Sequence, residues 1–167
     1  MDSISIPERI GDREMKKSGF TLIEIVIVVG IVGFLAALST LAITKAIENA
    51  RIKGAKTELE ILSAATLQLA WDTGYWPNKA KRTAGGTREI WNISPVSCGL
   101  QGTDGSYGKW KGPYYEGAIQ DPWGNNYFFD PDYRINGVDH VVVGSFGPNG
   151  QGRNRYDSDD IYILLDD

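Results

Sequence analysis

The chain has 167 residues, of which 42% are hydrophobic and 23% charged, and a formal net charge of −4 at pH 7. This length holds one ordinary domain plus an appendage, and the slight acidity provides no basic patch for nucleic-acid binding. A single cysteine, Cys98, excludes an intramolecular disulfide, and together with a single histidine, His140, this count argues against a His-based metal centre and against Cys/His catalysis. We therefore expect that the protein is not an enzyme.

An apolar run from Phe20 to Thr44 contains one charged residue, Glu24. As a helix it would be roughly 37 Å long at about 1.5 Å per residue, which exceeds the ~30 Å hydrocarbon core of a bilayer. The run is also longer than the apolar region of a cleaved secretory signal, about 7–15 residues. Because Lys16 and Lys17 precede it, the positive-inside tendency predicts a cytoplasmic amino terminus and a carboxy-terminal part across the membrane.

The same helix is predicted to continue as an amphipathic segment. Charges appear from Lys45 onward, and the chain has no proline between Phe20 and Trp76, so that one helix from about Phe20 to Trp71 is expected. Apolar and small residues recur in it at helical spacing, at Ala55, Leu59, Leu62, Thr66 and Leu69. We expect this stripe to pack on a sheet formed by the carboxy-terminal half.

Glu24 is the discordant residue of the apolar run. A carboxylate among lipid tails costs at least ~2.5–3.5 kcal/mol unless it is paired or near the interface. Cleavage between Gly19 and Phe20 would create a positive α-amino group about one helical turn away, on the same chain or on a neighbour. Opposite charges attract strongly in a low-dielectric setting and fix the register of two chains. The pattern suits a subunit that recognises the next subunit.

The segment KKSGFTLIE, from Lys16 to Glu24, resembles the class III leader of type IV pilins and type II secretion pseudopilins. The resemblance implies that a membrane prepilin peptidase cleaves after Gly19 and removes residues 1–19, and that the new amino terminus, Phe20, is methylated. It also implies that Glu24 neutralises the amino terminus of a neighbouring subunit during assembly. The leader is long, and translation starting at Met15 in place of Met1 would shorten it.

Residues 45–167 are predicted to form a globular pilin-like domain. Residues 78–112 are predicted to form a long polar loop. Trp91 and Trp110 within it, and Tyr114 and Tyr115 just after it, are expected to anchor the loop to the core rather than to stack on a ligand. Strands are predicted at 126–130, 139–146 and 161–165, with Asn136-Gly137 as a hairpin turn. A long helix, first transmembrane and then amphipathic, packed on a small antiparallel sheet is an α+β fold.

Two blocks of the globular domain resemble the major pseudopilin of type II secretion. One is DPWGNNY, residues 121–127, and the other is the loop 144–160, which resembles that protein's calcium loop. Calcium takes six to eight oxygen ligands, and the loop is rich in Asp, Asn, Ser and Gly. By the resemblance, the Ca²⁺ ligands would come from Phe146, Asn149, Arg153, Asp157, Ser158 and Asp160. Relatives usually carry Asp in place of Asn149 and often in place of Ser158. A solvated acidic loop without metal is the alternative.

The resemblance implies a structural filament subunit, the major pseudopilin of a type II secretion system. Such a subunit spans the inner (cytoplasmic) membrane once, holds its carboxy-terminal domain in the periplasm, and polymerises into a piston-like pseudopilus that drives the export of folded proteins. Its partners would be further copies of itself, the prepilin peptidase, the inner-membrane assembly platform and minor pseudopilins, without nucleic acid. A type IV pilus or competence pilin subunit, and a monomeric membrane-anchored calcium- or ligand-binding domain, are the alternatives.

Overall fold

The computed structural model describes residues 19–82, 88–153 and 157–165, except for the side chains of residues 38–41. The predicted leader, apart from Gly19, and both possible start residues, Met1 and Met15, therefore lie outside the described residues. The chain divides into two compact units between Ile43 and Thr44, and each unit is described separately.

The amino-terminal unit contains the first part of a 52-residue helix, α1, which spans Leu22–Thr73 and so agrees with the predicted bounds. Every described side chain from Thr21 to Ala37 is exposed, including those of the large apolar residues. Exposure of these apolar side chains to water would not stabilise the helix. An all-round apolar surface is instead the pattern of a membrane-spanning segment. By length and composition, α1 is able to cross a membrane.

In the carboxy-terminal unit one face of α1 is buried. The five residues of the predicted stripe are 0% exposed: Ala55, Leu59, Leu62, Thr66 and Leu69. The three leucines pack in a core that also contains Tyr127, Phe129 and Val143, and each large apolar side chain buried there stabilises the fold by about 1.5–3 kcal/mol. Gly74 ends the helix in the left-handed conformation, φ +82°, and its N–H donates to the Ala70 carbonyl at 2.9 Å.

Three antiparallel strands follow in the order β1-β2-β3, with β1 at Phe128–Ile135, β2 at Val138–Ser145 and β3 at Ile161–Leu164. Asn136 and Gly137 both have positive φ, 51° and 86°, as the predicted hairpin turn requires. The register shifts between Asp130 and Tyr133. Pro131, at this shift, has no N–H to donate to a ladder. The strand predicted at 126–130 therefore begins two residues later and continues as one irregular strand to Ile135.

The sheet has an apolar cluster on each face. Phe129 and Val143 contribute to the core with α1, while Phe128, Tyr133, Val142 and Phe146 form a second cluster. The rings of Phe128 and Phe146 stack with centroids 4.3 Å apart, and Trp91 packs 5.8 Å from both. Trp91 comes from the long loop, which otherwise contains short 3₁₀ helices at Pro77–Lys79 and Val96–Cys98. The loop aromatics are core anchors, as expected.

Asp130 in β1 is fully buried without a matching cation among the described residues. Its Oδ1 accepts a hydrogen bond from the Asp132 N–H at 2.9 Å, whereas its Oδ2 has no partner. Burial raises the pKa of this carboxyl to about 7, and the negative charges of Asp132 and Glu89 act in the same direction. The folded chain therefore keeps Asp130 protonated at pH values where the unfolded chain, with an ordinary pKa of about 3.9, has lost the proton.

We predict that Asp130 makes the carboxy-terminal unit less stable as pH rises. Below pH about 4 the carboxyl is protonated in both the folded and the unfolded state. Between pH about 4 and 7 only the folded state holds the proton, so the free energy of unfolding falls as pH rises. Above pH about 7 this contribution to the free energy of unfolding is completely lost. Asp130→Asn keeps the bond from Asp132 and removes the titration. Melting of full-length protein in detergent, followed by tryptophan fluorescence, should show the variant gaining on the wild type as pH rises.

The matched control for this measurement is Asp139→Asn, because Asp139 is an exposed carboxylate on the neighbouring strand β2. Its melting temperature should follow the wild type at every pH. A constant difference between Asp130→Asn and the wild type from pH about 4 to 8 would contradict the prediction, because it would mean that Asp130 ionises alike in both states.

Candidate functional site

The predicted processing and assembly residues lie around the start of α1. Gly19 and Phe20 precede the helix and are exposed. The Thr21 N–H and hydroxyl both donate to Glu24 Oε2 at 2.8 Å, and the Glu24 N–H donates to Thr21 Oγ1 at 3.3 Å. This reciprocal pair is a capping box, with Thr21 as the N-cap and Glu24 in the first turn. Glu24 is therefore bonded within its own chain.

Sequence reasoning missed this cap, although its signal was present. A Thr followed three residues later by Glu, just ahead of an apolar run, is the signature of a capping box, and here it reads Thr21-Leu22-Ile23-Glu24. A carboxylate is also favourable at a helix amino terminus, where the backbone N–H groups give a partial positive charge. Both bonds from Thr21 go to Oε2. The site thus contains a carboxylate that stabilises the start of its own helix and is set beside the predicted new amino terminus, Phe20.

The second predicted site is the loop between β2 and β3, and Asn149 lies at its centre. The Asn149 amide nitrogen donates to Asp157 Oδ2 at 3.0 Å and to Asp159 Oδ1 at 2.6 Å, and its backbone N–H donates to Asp159 Oδ2 at 3.1 Å. Its amide oxygen accepts a bond from the Gln151 N–H at 2.6 Å. Two carboxylates therefore converge on one neutral amide, and neither forms an ion pair among the described residues.

Asp160 faces a different direction from Asp159. It is 8% exposed, and its Oδ2 accepts bonds from the Tyr133 hydroxyl at 2.6 Å and the Asp157 N–H at 2.8 Å. Its Oδ1 is buried and has no partner. Burial raises the pKa of this carboxyl, because the charged form is poorly solvated. An unpartnered buried carboxylate oxygen is costly unless a proton or a cation satisfies it.

The remaining predicted ligands make other contacts. The Phe146 carbonyl accepts the Gly150 N–H at 3.2 Å, and the Arg153 guanidinium lies 5.7 Å from the centroid of the Trp91 ring. The Ser158 N–H donates to Asp157 Oδ1 at 2.6 Å. Within 19–82, 88–153 and 157–165, no three His, Cys, Asp or Glu side chains are grouped closely enough to hold a metal ion by themselves. Asp159 is not among the ligands that the resemblance implies, yet its carboxylate accepts hydrogen bonds from both the side chain and the backbone N–H of Asn149.

The DPWGN turn supports the start of this loop. Asp121 Oδ1 accepts the N–H groups of Trp123 and Asn125, at 3.0 and 2.8 Å, and its Oδ2 accepts the Ser145 hydroxyl at 2.5 Å. The Asn125 amide donates to the Gly147 carbonyl at 2.7 Å. Gly147 has φ +59°, and a Cβ there would lie 2.2 Å from the Asp159 carbonyl oxygen. Only glycine therefore fits where the two arms of the loop meet.

Comparison with known proteins bears on both sites. Residues 15–40 match a family model described as the prokaryotic N-terminal methylation motif. The chain is also 27% identical over 143 residues to the type II secretion system core protein G of Pseudomonas aeruginosa, an alignment that covers 85% of this chain and 93% of that protein. The matched motif, the similarity to core protein G and the α+β layout together make this chain a type IV pilin-like, pseudopilin-like protein.

Proposed function

We propose that the chain is the major pseudopilin of a type II secretion system. In this proposal it spans the inner membrane once through the apolar part of α1, with the carboxy-terminal unit in the periplasm, and polymerises into a piston-like pseudopilus that drives folded proteins outward. The observation that carries the proposal is that the exposed, apolar first part of α1 carries one acidic residue, Glu24, in its first turn and within the matched methylation motif. The similarity to core protein G favours secretion over a pilus role.

Assembly would use the charge of Glu24 between subunits. After cleavage behind Gly19, the amino group of Phe20 is a cation in a low-dielectric surrounding and needs a compensating anion. Glu24 Oε2 is bonded to Thr21 of its own chain, while Oε1 takes no hydrogen bond among the described residues and remains for a neighbour. One carboxylate would thus cap its own helix and pair with the amino terminus of an adjacent subunit.

Processing by the prepilin peptidase is the first expectation. Mature protein should begin at Phe20, with a methylated amino terminus, because the junction Gly19-Phe20 lies within the matched methylation motif. Intact mass of purified filaments measures this. Gly19→Leu should leave full-length precursor in the membrane, whereas Gly33→Ala, a change of glycine inside the helix, should be processed normally. An unmethylated mature protein that begins elsewhere would contradict the proposal.

The role of Glu24 can be separated into charge and cap. Glu24→Gln loses the charge but keeps a side chain that can accept a hydrogen bond from the Thr21 N–H. Thr21→Ala keeps the charge but weakens the helix cap at a cost of about 1 kcal/mol. Glu24→Ala loses both the charge and the cap. We expect all three to insert, since removing polarity makes the segment more apolar. Only Thr21→Ala should still form filaments, as counted by electron microscopy of sheared material.

Filaments of normal length and number from Glu24→Gln would contradict the assembly role of the charge. That result, together with a loss of filaments in Glu24→Ala and Thr21→Ala, would assign Glu24 to helix capping alone.

We further propose that the loop 144–160 binds a structural Ca²⁺ ion. The oxygen donors present fit a hard cation: the carboxylates of Asp157 and Asp159 converge on Asn149 with no cation partner among the described residues, and Asp160 Oδ1 is buried without a bond. Phe146, Arg153 and Ser158 would add carbonyl or hydroxyl oxygens. Bound calcium would supply positive charge to a loop that has little apolar surface to order it.

Calcium should raise the melting temperature of full-length protein in detergent relative to the same protein with a chelator. A ligand that binds only the folded state adds roughly 2.7 kcal/mol at a hundredfold excess over Kd, which corresponds to several degrees for a unit of this size. All five tryptophans, residues 71, 76, 91, 110 and 123, lie in the carboxy-terminal unit and report its melting.

The calcium increment should be lost in Asp160→Asn and retained in Asp139→Asn, whose carboxylate lies on β2 outside the loop. Melting of each variant with the chelator shows whether it folds. Superimposable curves for the wild type with millimolar calcium and with chelator would mean that protein contacts alone order the loop.

A further inference from the structure

Glu58 differs from the other acidic residues in the second part of α1, because no basic residue stands near it on the helix. Glu48 and Glu60 each have a lysine three or four residues away, the spacing at which helical side chains meet. Asp72 pairs with Lys111 at 2.9 Å. The positions three and four residues from Glu58 hold only Gly, Ala, Ile and Leu. The helix thus carries one carboxylate that its own sequence leaves uncompensated.

A groove of about 480 Å³ opens beside Glu58, between α1 and the segment before β1. Its volume lies in the ~300–1,000 Å³ range of ligand pockets. Gly54, Ala118 and Pro122 give it apolar walls, and Asp121 adds a second carboxylate to that of Glu58. An acidic groove with apolar walls matches a cation on an aliphatic stem, whose carbon chain packs while its charged head is paired.

Gly54 keeps the groove open where α1 approaches Pro122. Its backbone is helical, and a Cβ at this position would lie 3.7 Å from Pro122 Cγ, which is an ordinary contact. Neither a positive φ nor a clash therefore requires glycine here, although glycine is a poor helix former. A larger side chain would extend into the groove. The absence of a side chain at Gly54 leaves room beside Glu58.

The groove also contains a polar atom without a partner, the hydroxyl oxygen of Tyr127. The residue is 0% exposed, and no described residue forms a hydrogen bond with its hydroxyl. Burial raises the pKa of this hydroxyl, and the negative charges of Asp121 and Glu58 act in the same direction. A buried polar group without a hydrogen bond costs free energy. A ligand that donates a hydrogen bond to Tyr127 Oη removes that cost.

Glu58 has free capacity to accept a hydrogen bond. The Tyr115 hydroxyl lies 3.1 Å from Glu58 Oε2 and 2.6 Å from the Ala118 carbonyl oxygen, but its one proton serves one acceptor at a time. Among the described residues no lysine or arginine pairs with Glu58 or Asp121. Both carboxylate oxygens of Asp121 already accept bonds within the protein, so Asp121 acts on the groove through its charge. The direct contacts of a cation would thus be Glu58 and Tyr127.

We propose that this groove binds the ammonium group of a lysine side chain carried by a basic partner protein. The ammonium group donates to Glu58 and to Tyr127 Oη, and the aliphatic stem packs between Gly54 and Pro122. This contact does not depend on filament formation, and it involves neither Glu24 nor the loop 144–160.

Lysine fits the groove better than arginine does, and a basic partner fits it better than a second copy. An ammonium group is compact and has three donors, whereas a guanidinium is a planar fork of five donors, which need more acceptors than Glu58 and Tyr127 provide. The chain has a formal net charge of −4. Two copies therefore repel each other as they approach, while a basic protein is attracted to the acidic groove.

Saturation-transfer NMR on the full-length protein in an uncharged detergent tests the groove with a small probe. The probe is Nα-acetyl-lysine amide, and its matched control is the norleucine analogue, which keeps the stem without the ammonium group. We expect saturation transfer to the stem methylene protons of the lysine probe, and at least several-fold less to the norleucine analogue. Equal transfer to both, or stronger transfer to the arginine analogue, would overturn the proposal.

Substitutions locate the binding at the groove. Glu58→Gln, Gly54→Leu and Tyr127→Phe should each reduce transfer to the lysine probe at least several-fold, because they remove the charge, fill the groove and remove the hydroxyl, respectively. Glu60→Gln is the control, since Glu60 is an exposed carboxylate two residues along α1 and outside the groove. Melting of each variant shows whether it folds. Transfer at the wild-type level in folded Glu58→Gln or Tyr127→Phe would contradict the assignment.

Carbodiimide cross-linking in intact cell envelopes identifies the source of the lysine. This reagent joins a carboxylate and an amine in direct contact as an amide, and peptide mass spectrometry maps the joined residues. We expect Glu58 to be joined to a lysine of another protein, with the cross-link lost in Glu58→Gln and on addition of excess lysine probe. Joining of Glu58 to a second copy only, or no joining at Glu58, would overturn the proposal.

Discussion

In the proposed function the helix α1 has to be stable both in lipid and in water, and the rest of the molecule depends on how it does so. A helix satisfies its own backbone hydrogen bonds, so the same backbone can stand in lipid and in water. Only the side chains change: those from Thr21 to Ala37 are exposed and almost wholly apolar, whereas the stripe ending at Leu69 is buried under the sheet.

Local geometry gives partners to Glu24 and to the loop carboxylates but leaves one oxygen of Asp130 without a partner, and this constrains what these residues can do. Glu24 would be a costly charge in lipid, but Thr21 bonds it into the first turn of α1, where the helix dipole favours an anion. Asp130 has no such compensation and stays protonated up to about pH 7. In the loop, the side-chain amide of Asn149 donates hydrogen bonds to the carboxylates of Asp157 and Asp159.

Local patterns made the fold readable from the sequence. The bounds of α1, its buried stripe and the turn at Asn136-Gly137 follow from periodicity and turn chemistry, and the structure confirms them. The capping box of Glu24 was equally local and was overlooked. The different directions of Asp159 and Asp160 were not readable, because they depend on Tyr133 and Asn149, which are distant in sequence. The same holds for the burial of Asp130, which depends on tertiary packing.

Electron cryo-microscopy of sheared filaments tests the central claim, that the apolar part of α1 is an assembly element, most directly. The account predicts a helical polymer with residues Leu22 to Ala37 packed around the filament axis and the carboxy-terminal units outside. Density for carboxy-terminal units at the axis, or preparations with only monomeric protein in membranes under conditions that assemble the complete secretion machinery, would contradict it.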